Sequence, residues 1–127
     1  MLPQRAKMTM PSAAYRLFEQ AMEERRQVAC VYQDLPRELC PIVLGWTDGR
    51  EKVLAYQVGG QSSRPLTTPD SRWRCMFLAD VSAPVLQDGP WLSGARHRTQ
   101  QSCVRDVDLD VNPASPFSPR HRLGWQA

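Results

Sequence analysis

Residues 39–60 read LCPIVLGWTDGREKVLAYQVGG. Two apolar runs rich in β-formers flank Asp48-Gly49, and an Asp-Gly pair in that setting is the strongest short-range hairpin signal, because both turn positions need positive φ. The spacing predicts that 39–47 and 51–58 pair antiparallel. Pro41 has no N–H to give a ladder, so it predicts an edge position or a bulge in the first strand. The second run breaks into Gly59 and Gly60 and a polar loop over 59–72. That loop has two readings, a ligand-lining anion nest of backbone amides with Arg64 nearby, or a turn between strands. A phosphate loop of the nucleotide-hydrolase kind needs G-x-x-x-x-G-K-[ST] followed by a helix, and the sequence has neither.

Upstream of this stretch, Ser12 is a candidate N-cap, and Ala14, Leu17, Phe18, Ala21 and Met22 fall at helical spacing. An amphipathic helix is expected to end near Arg26 or Gln27, with Arg25 and Arg26 in its last turn, where cations suit the helix dipole. VACVYQ (28–33) reads as a strand and the following DLPREL as a turn. Downstream, WRCMFLADV (73–81) reads as a fourth strand, extended by APVLQD (83–88) after a bend at Pro84. In DVDLDV (106–111) apolar residues alternate with Asp106, Asp108 and Asp110, which predicts a half-buried strand with an acidic outer face. Those three carboxylates lie in line and do not converge as cation ligands do, so they read as a charged edge.

The chain has 127 residues, 42% of them apolar, enough for one core and one domain. The expected organisation is a flexible leader over 1–11, a folded domain over 12–111, and a Pro-rich tail over 112–127, disordered or weakly docked. One helix followed by about five short strands, with turn signals every ten or so residues, points to a mainly β fold that closes into a small antiparallel barrel. Sixteen basic against thirteen acidic side chains leave a net charge of +3, too little for nucleic-acid binding by bulk charge. No apolar run is long enough to span a bilayer and the first thirty residues lack a secretion-signal core, so a cytoplasmic protein with no membrane partner is expected. Cys30, Cys40, Cys75 and Cys103 are widely spaced without a C-x-x-C pair, and they read as buried free thiols. A zinc site made from them with His97 or His121 would have to be assembled from distant segments, so no metal and no cofactor is expected.

The series RRQVACVYQ, PIVLG, DGREKVLAYQVGG and WRCMFLADV resembles the WYL-type domains, in particular small stand-alone members without a helix-turn-helix. The likeness spans roughly residues 14–88. It implies an SH3-like (Sm-like) barrel after a helix, and a sensory or nucleic-acid-binding module of prokaryotic regulators. The family's three naming letters fall near Lys52, Val53 and Leu54, and only the leucine is kept. The arginine of its last conserved strand matches Arg74; a second basic position falls on Phe77, and an aspartate on Ala79. Cys40, Ile42 and Leu44 stand where small members carry polar groups.

Basic groups interleaved with aromatics suit a single strand or a small anionic ligand, since arginine grips phosphate and a ring offers a stacking face. The candidate binding residues are Tyr56, Gln57, Gly59, Gly60, Arg64, Arg72, Trp73 and Arg74, with Arg96, His97 and Arg98 as further basic groups. No pairing of nucleophile and base is evident, so catalysis is not expected. The alternative is a protein-interaction or homo-oligomerisation module, whose ligand face has become apolar at Ile42, Leu44 and Phe77.

Overall fold

The computed structural model describes residues 10–63, 66, 69–92, 101–121 and 123. Helix α1 (Ala13–Glu24) starts at the predicted cap, where Ser12 Oγ accepts from the Tyr15 amide at 3.1 Å. Glu51 fixes that cap from the sheet, accepting from the Ser12 amide at 2.7 Å and from its hydroxyl at 2.5 Å. The helix stops two residues earlier than its pattern suggests. Arg25 turns left-handed, with φ 55°, and both basic residues lie beyond the last turn. Tyr15, Phe18, Ala21 and Met22 form its buried face.

Six strands follow: β1 (Gln27–Tyr32), β2 (Leu35–Thr47), β3 (Arg50–Gly60), β4 (Trp73–Phe77), β5 (Val81–Gln87) and β6 (Asp106–Asp110). All pair antiparallel in one sheet of order β4-β3-β2-β1-β5, with β6 also on β2. The Asp48-Gly49 turn forms as expected, with φ of 54° and 76°. DLPREL is a correction: Gln33 and Asp34 make the turn, both at positive φ, and Leu35 already opens β2.

Pro41 explains how β2 takes three partners. β1 pairs with residues 35–39 and β6 with residues 43–46. Pro41 sits between those two ladders, at a register shift against β3 between Pro41 and Val43. The bulge reading of this proline is the one seen, with Pro41 still opposite Ala55 on β3 just before the shift.

The expected closed five-stranded barrel is not seen. The sheet has six strands and is open, with no ladder joining β4 to β5 among the described residues. The fourth strand ends at Phe77; a 3-10 turn, Leu78–Asp80, then leads into β5, which crosses to β1. Ala83, at φ 51°, and Pro84 form a bulge between Ser82 and Val85, sparing this proline the ladder. Between α1 and the strands lies a core that includes Phe18, Met22, Leu39, Ile42, Leu44, Val53, Met76, Leu78 and Leu109. Each such side chain contributes about 1.5–3 kcal/mol by burial.

Two further expectations need correction. Cys75 and Cys103 form a disulfide, with Cα atoms 5.8 Å apart, while Cys30 and Cys40 are free and buried. Cys75 points off the outer face of β4 and meets the segment before β6, a proximity that a spacing of 28 residues does not reveal. The acidic outer face of β6 is also not seen, because Asp108 and Asp110 are buried and Asp106 alone of the three is exposed. The tail supplies the cover: the Arg120 amide donates to Val107 O at 3.2 Å and the His121 amide to Asp108 O at 2.9 Å. No helix among the described residues is long and apolar enough to cross a membrane.

Candidate functional site

Gln57 follows Tyr56 on β3, and the register shift between Glu38 and Leu39 brings it close to Arg37. Its side chain is fully buried and works from both ends. Oε1 accepts from Arg37 Nη1 at 3.2 Å and from Arg74 Nε at 3.0 Å. Nε2 donates to the carbonyls of Gly59 and Gln61, each at 2.9 Å. The backbone carbonyl of Gln57 accepts from Arg72 Nη1 at 3.2 Å. Three guanidinium groups from β2, β4 and the turn before β4 thus converge on one residue.

Arg37 and Arg74 are 2% and 3% exposed, so both are structural centres of this end of the sheet. Arg74 also donates to Ser62 Oγ at 2.8 Å and to the carbonyls of Ser71 and Trp73. Arg37 reaches Tyr32 O, Gln33 Oε1 and Ser62 Oγ. Ser62 is shared by the two guanidiniums, which ties the start of the 61–72 loop to both strands. Arg72 and Trp73 are half-buried. Trp73 packs edge-to-face on Tyr56, with ring centroids 5.1 Å apart, and keeps part of its surface open.

Of the glycine pair, Gly60 has a steric reason, because its neighbours are backbone atoms, whereas Gly59 faces only the movable carboxylate end of exposed Glu38. A Cβ at Gly59 would lie 2.2 Å from Glu38 Oε1, and one at Gly60, whose φ is 83°, would lie 2.4 Å from Pro36 O. That carbonyl accepts from the Gln61 amide at 2.7 Å. These two positions close the β2–β3 ladder and launch the loop. Arg64 lies outside the described residues, as do Arg96, His97 and Arg98. Of the sequence-derived set, Tyr56, Gln57, Gly59, Gly60, Arg72, Trp73 and Arg74 gather at one end of β3 and β4.

Arg37 and Ser62 are missed by motif reasoning. Alternation did carry a signal for Arg37, since it shares the buried face of β2 with Leu39 two residues on. Asp108 is the other missed residue. Tyr15 donates its hydroxyl to Oδ2, Trp46 Nε1 donates to the same oxygen at 2.9 Å, and Arg120 Nη1 donates to Oδ1 at 3.1 Å. Burial, and then the bond to Asp108 and the charge of its carboxylate, push the Tyr15 hydroxyl far above the ordinary tyrosine range. Burial pushes the Cys30 thiol up to about 11, and raises Cys40 as well. Neither thiol has the low pKa of a nucleophile. Among the described residues no group of three His, Cys, Asp or Glu could hold a metal ion.

Compared with family models, curated proteins and solved structures, the chain has no match.

Proposed function

We propose that the chain is a non-catalytic regulatory module of WYL type, on an SH3-like (Sm-like) architecture, that takes a single nucleic-acid strand or a small anionic ligand at the β3–β4 end of the sheet. The architectural part is supported by the strand path β5-β1-β2-β3-β4 behind an N-terminal helix, with a 3-10 turn linking β4 to β5. The observation that carries the ligand reading is the convergence of Arg37, Arg72 and Arg74 on Gln57, beside the Tyr56–Trp73 ring pair.

The roles differ with burial. Arg37 and Arg74 anchor Ser62 at the start of the loop and add positive charge behind it. Arg72 and Trp73 are the contact groups, one for a phosphate or carboxylate and one as a stacking face. A cytoplasmic setting is what the family resemblance implies, and the Cys75–Cys103 disulfide counts against it, since cytosolic thiols are ordinarily kept reduced. The oligomerisation reading has less support, because Ile42 and Leu44 are fully buried in the core. Phe77 is covered by Arg50 and Lys52, 3.7 and 3.8 Å from its ring centroid.

Fluorescence titration with short single strands and with nucleotides, at low and moderate salt, tests the proposal. Wild type binds at low salt, and Arg72→Ala reduces the log–log salt slope for a single strand by about 0.7, the value of one phosphate contact. Trp73→Ala removes about 1–3 kcal/mol of stacking. Absence of binding by the folded wild-type chain at low salt overturns the reading.

A further inference from the structure

A cleft of about 530 Å³ opens where the first turns of α1, the β2–β3 turn, β6 and residues 120–121 meet. Tyr15, Glu19, Trp46, Asp106, Asp108 and Arg120 are among its lining residues. At its base stands Asp108, with a side chain 8% exposed. A carboxylate buried to that degree needs its oxygens satisfied. Two neutral donors, the Tyr15 hydroxyl and the Trp46 indole N–H, satisfy Oδ2. Oδ1 is held by the guanidinium of Arg120, at 3.1 Å, and that side chain is 61% exposed.

The asymmetry between those two oxygens carries the inference. Oδ2 is locked from within the fold, by residues of α1 and β2. Oδ1 takes a cation that arrives from the solvent side on a tail segment, docked along β6 by the Arg120 and His121 amides. Without Arg120, the acidic and basic side chains of the lining are three carboxyl groups, Glu19, Asp106 and Asp108, against the guanidinium of Arg16 and the imidazole of His121. The cleft is then anionic, with the aromatic Trp46 in its wall, and such walls favour organic cations. Its volume also lies in the range of small-molecule sites and exceeds what one guanidinium head fills.

We propose that this cleft is a binding site for a guanidinium or primary ammonium ligand, with Asp108 Oδ1 as the acceptor, and that Arg120 occupies it in cis. The tail is an intrasteric plug. While it is docked, external cations compete with a tethered one; when it lifts, the same carboxylate is offered to them. The site is independent of the anion-binding reading, which concerns the other end of β3 and a ligand of opposite charge.

The test uses the full chain, labelled with ¹⁵N, and agmatine as the probe, which carries a guanidinium and a primary ammonium group. The readout is the Trp46 indole N–H resonance, identified by its loss in Trp46→Phe, because that N–H shares the Asp108 carboxylate. Arg120→Ala and Arg120→Gln are expected to bind agmatine at least about tenfold more tightly than wild type, with a saturable shift of this resonance. Adding Asp108→Asn to either should abolish the shift while a cooperative thermal transition remains. A neutral amide of similar length should leave the resonance in place. If the folded Arg120 variants show no shift with agmatine, there is no cation site. If wild type and both variants bind equally, Arg120 is not its occupant. Either result overturns the proposal.

Discussion

Replacing Gln57 by Met keeps the length of the side chain and removes every polar atom from it. Oε1 then no longer accepts from Arg37 and Arg74, and Nε2 no longer serves the Gly59 and Gln61 carbonyls. A hydrogen bond to a charged group contributes about 1.5–3 kcal/mol and a neutral one about 0.5–1.5 kcal/mol. Both guanidiniums keep further acceptors, among them Ser62 Oγ and the Ser71 carbonyl, so the low ends of these ranges apply. The expected loss for Gln57→Met is about 4 kcal/mol, a large share of an ordinary domain's stability. With a urea slope of about 1.5 kcal/mol per molar, the unfolding midpoint falls by about 2.5 M. Gln57→Glu is the contrast, since it keeps an acceptor between two cations and loses the amide donors; it should cost less than half as much. Urea unfolding followed by far-UV circular dichroism ranks the two. A Gln57→Met midpoint within 0.5 M of wild type, or a Gln57→Glu variant less stable than Gln57→Met, would refute the hub role assigned to this carboxamide.

Reducing Cys75–Cys103, whose separation is 28 residues, restores about 3.6 kcal/mol of unfolded-chain entropy on the loop-closure model, so the melting temperature should drop by roughly 10 °C with a phosphine reductant. Mass spectrometry after alkylation of the unreduced, denatured protein should count two modified thiols, and four would remove the bond from the native state. Gly45→Ala drives a Cβ to 2.0 Å from the Asp106 carbonyl, so β6 must move; a loss of about 3 kcal/mol and faster amide exchange over 106–110 are expected, and unchanged exchange there would show that the contact relaxes freely. Alkaline pH should destabilise the fold. The Cys30 thiol ionises near 9 when unfolded and near 11 when folded, so its contribution, roughly 2–3 kcal/mol, is present below pH 9 and fades as pH rises towards 11; Tyr15 works in the same direction. Cys30→Ala should flatten that decline, and an equally steep decline in the variant would assign it to other groups.

Much of the sheet is legible in the sequence because local chemistry specifies it. Asp48-Gly49 allows few turns other than the one seen, and Ser12 caps α1 because the first four amides there have no partner within the helix. Pro41 and Pro84 mark bulges because each lacks a donor. What local pattern cannot carry is which strand covers which. The alternation in DVDLDV correctly puts Val107 and Leu109 inside, yet the carboxylate side is buried too, because Tyr15, Trp46 and Arg120 arrive from three distant segments. The disulfide is hidden for the same reason, since nothing within ten residues of Cys75 or Cys103 announces the other. At the candidate site, Arg74 and Gln57 are visible as types, while their burial and their partnership with Arg37 follow from the β2–β3 register.

The bond between Cys75 and Cys103 encloses all of β5, the strand that caps β1. One peptide cleavage between the end of β5 and Cys103 therefore leaves a single covalent molecule, heavier by one water, in which β5 remains attached through β4. The same cleavage after reduction leaves two chains, one holding α1 and β1–β5 and the other β6 and the tail, joined by packing and hydrogen bonds alone. On a denaturing gel the nicked protein runs as one band without reductant and as two with it.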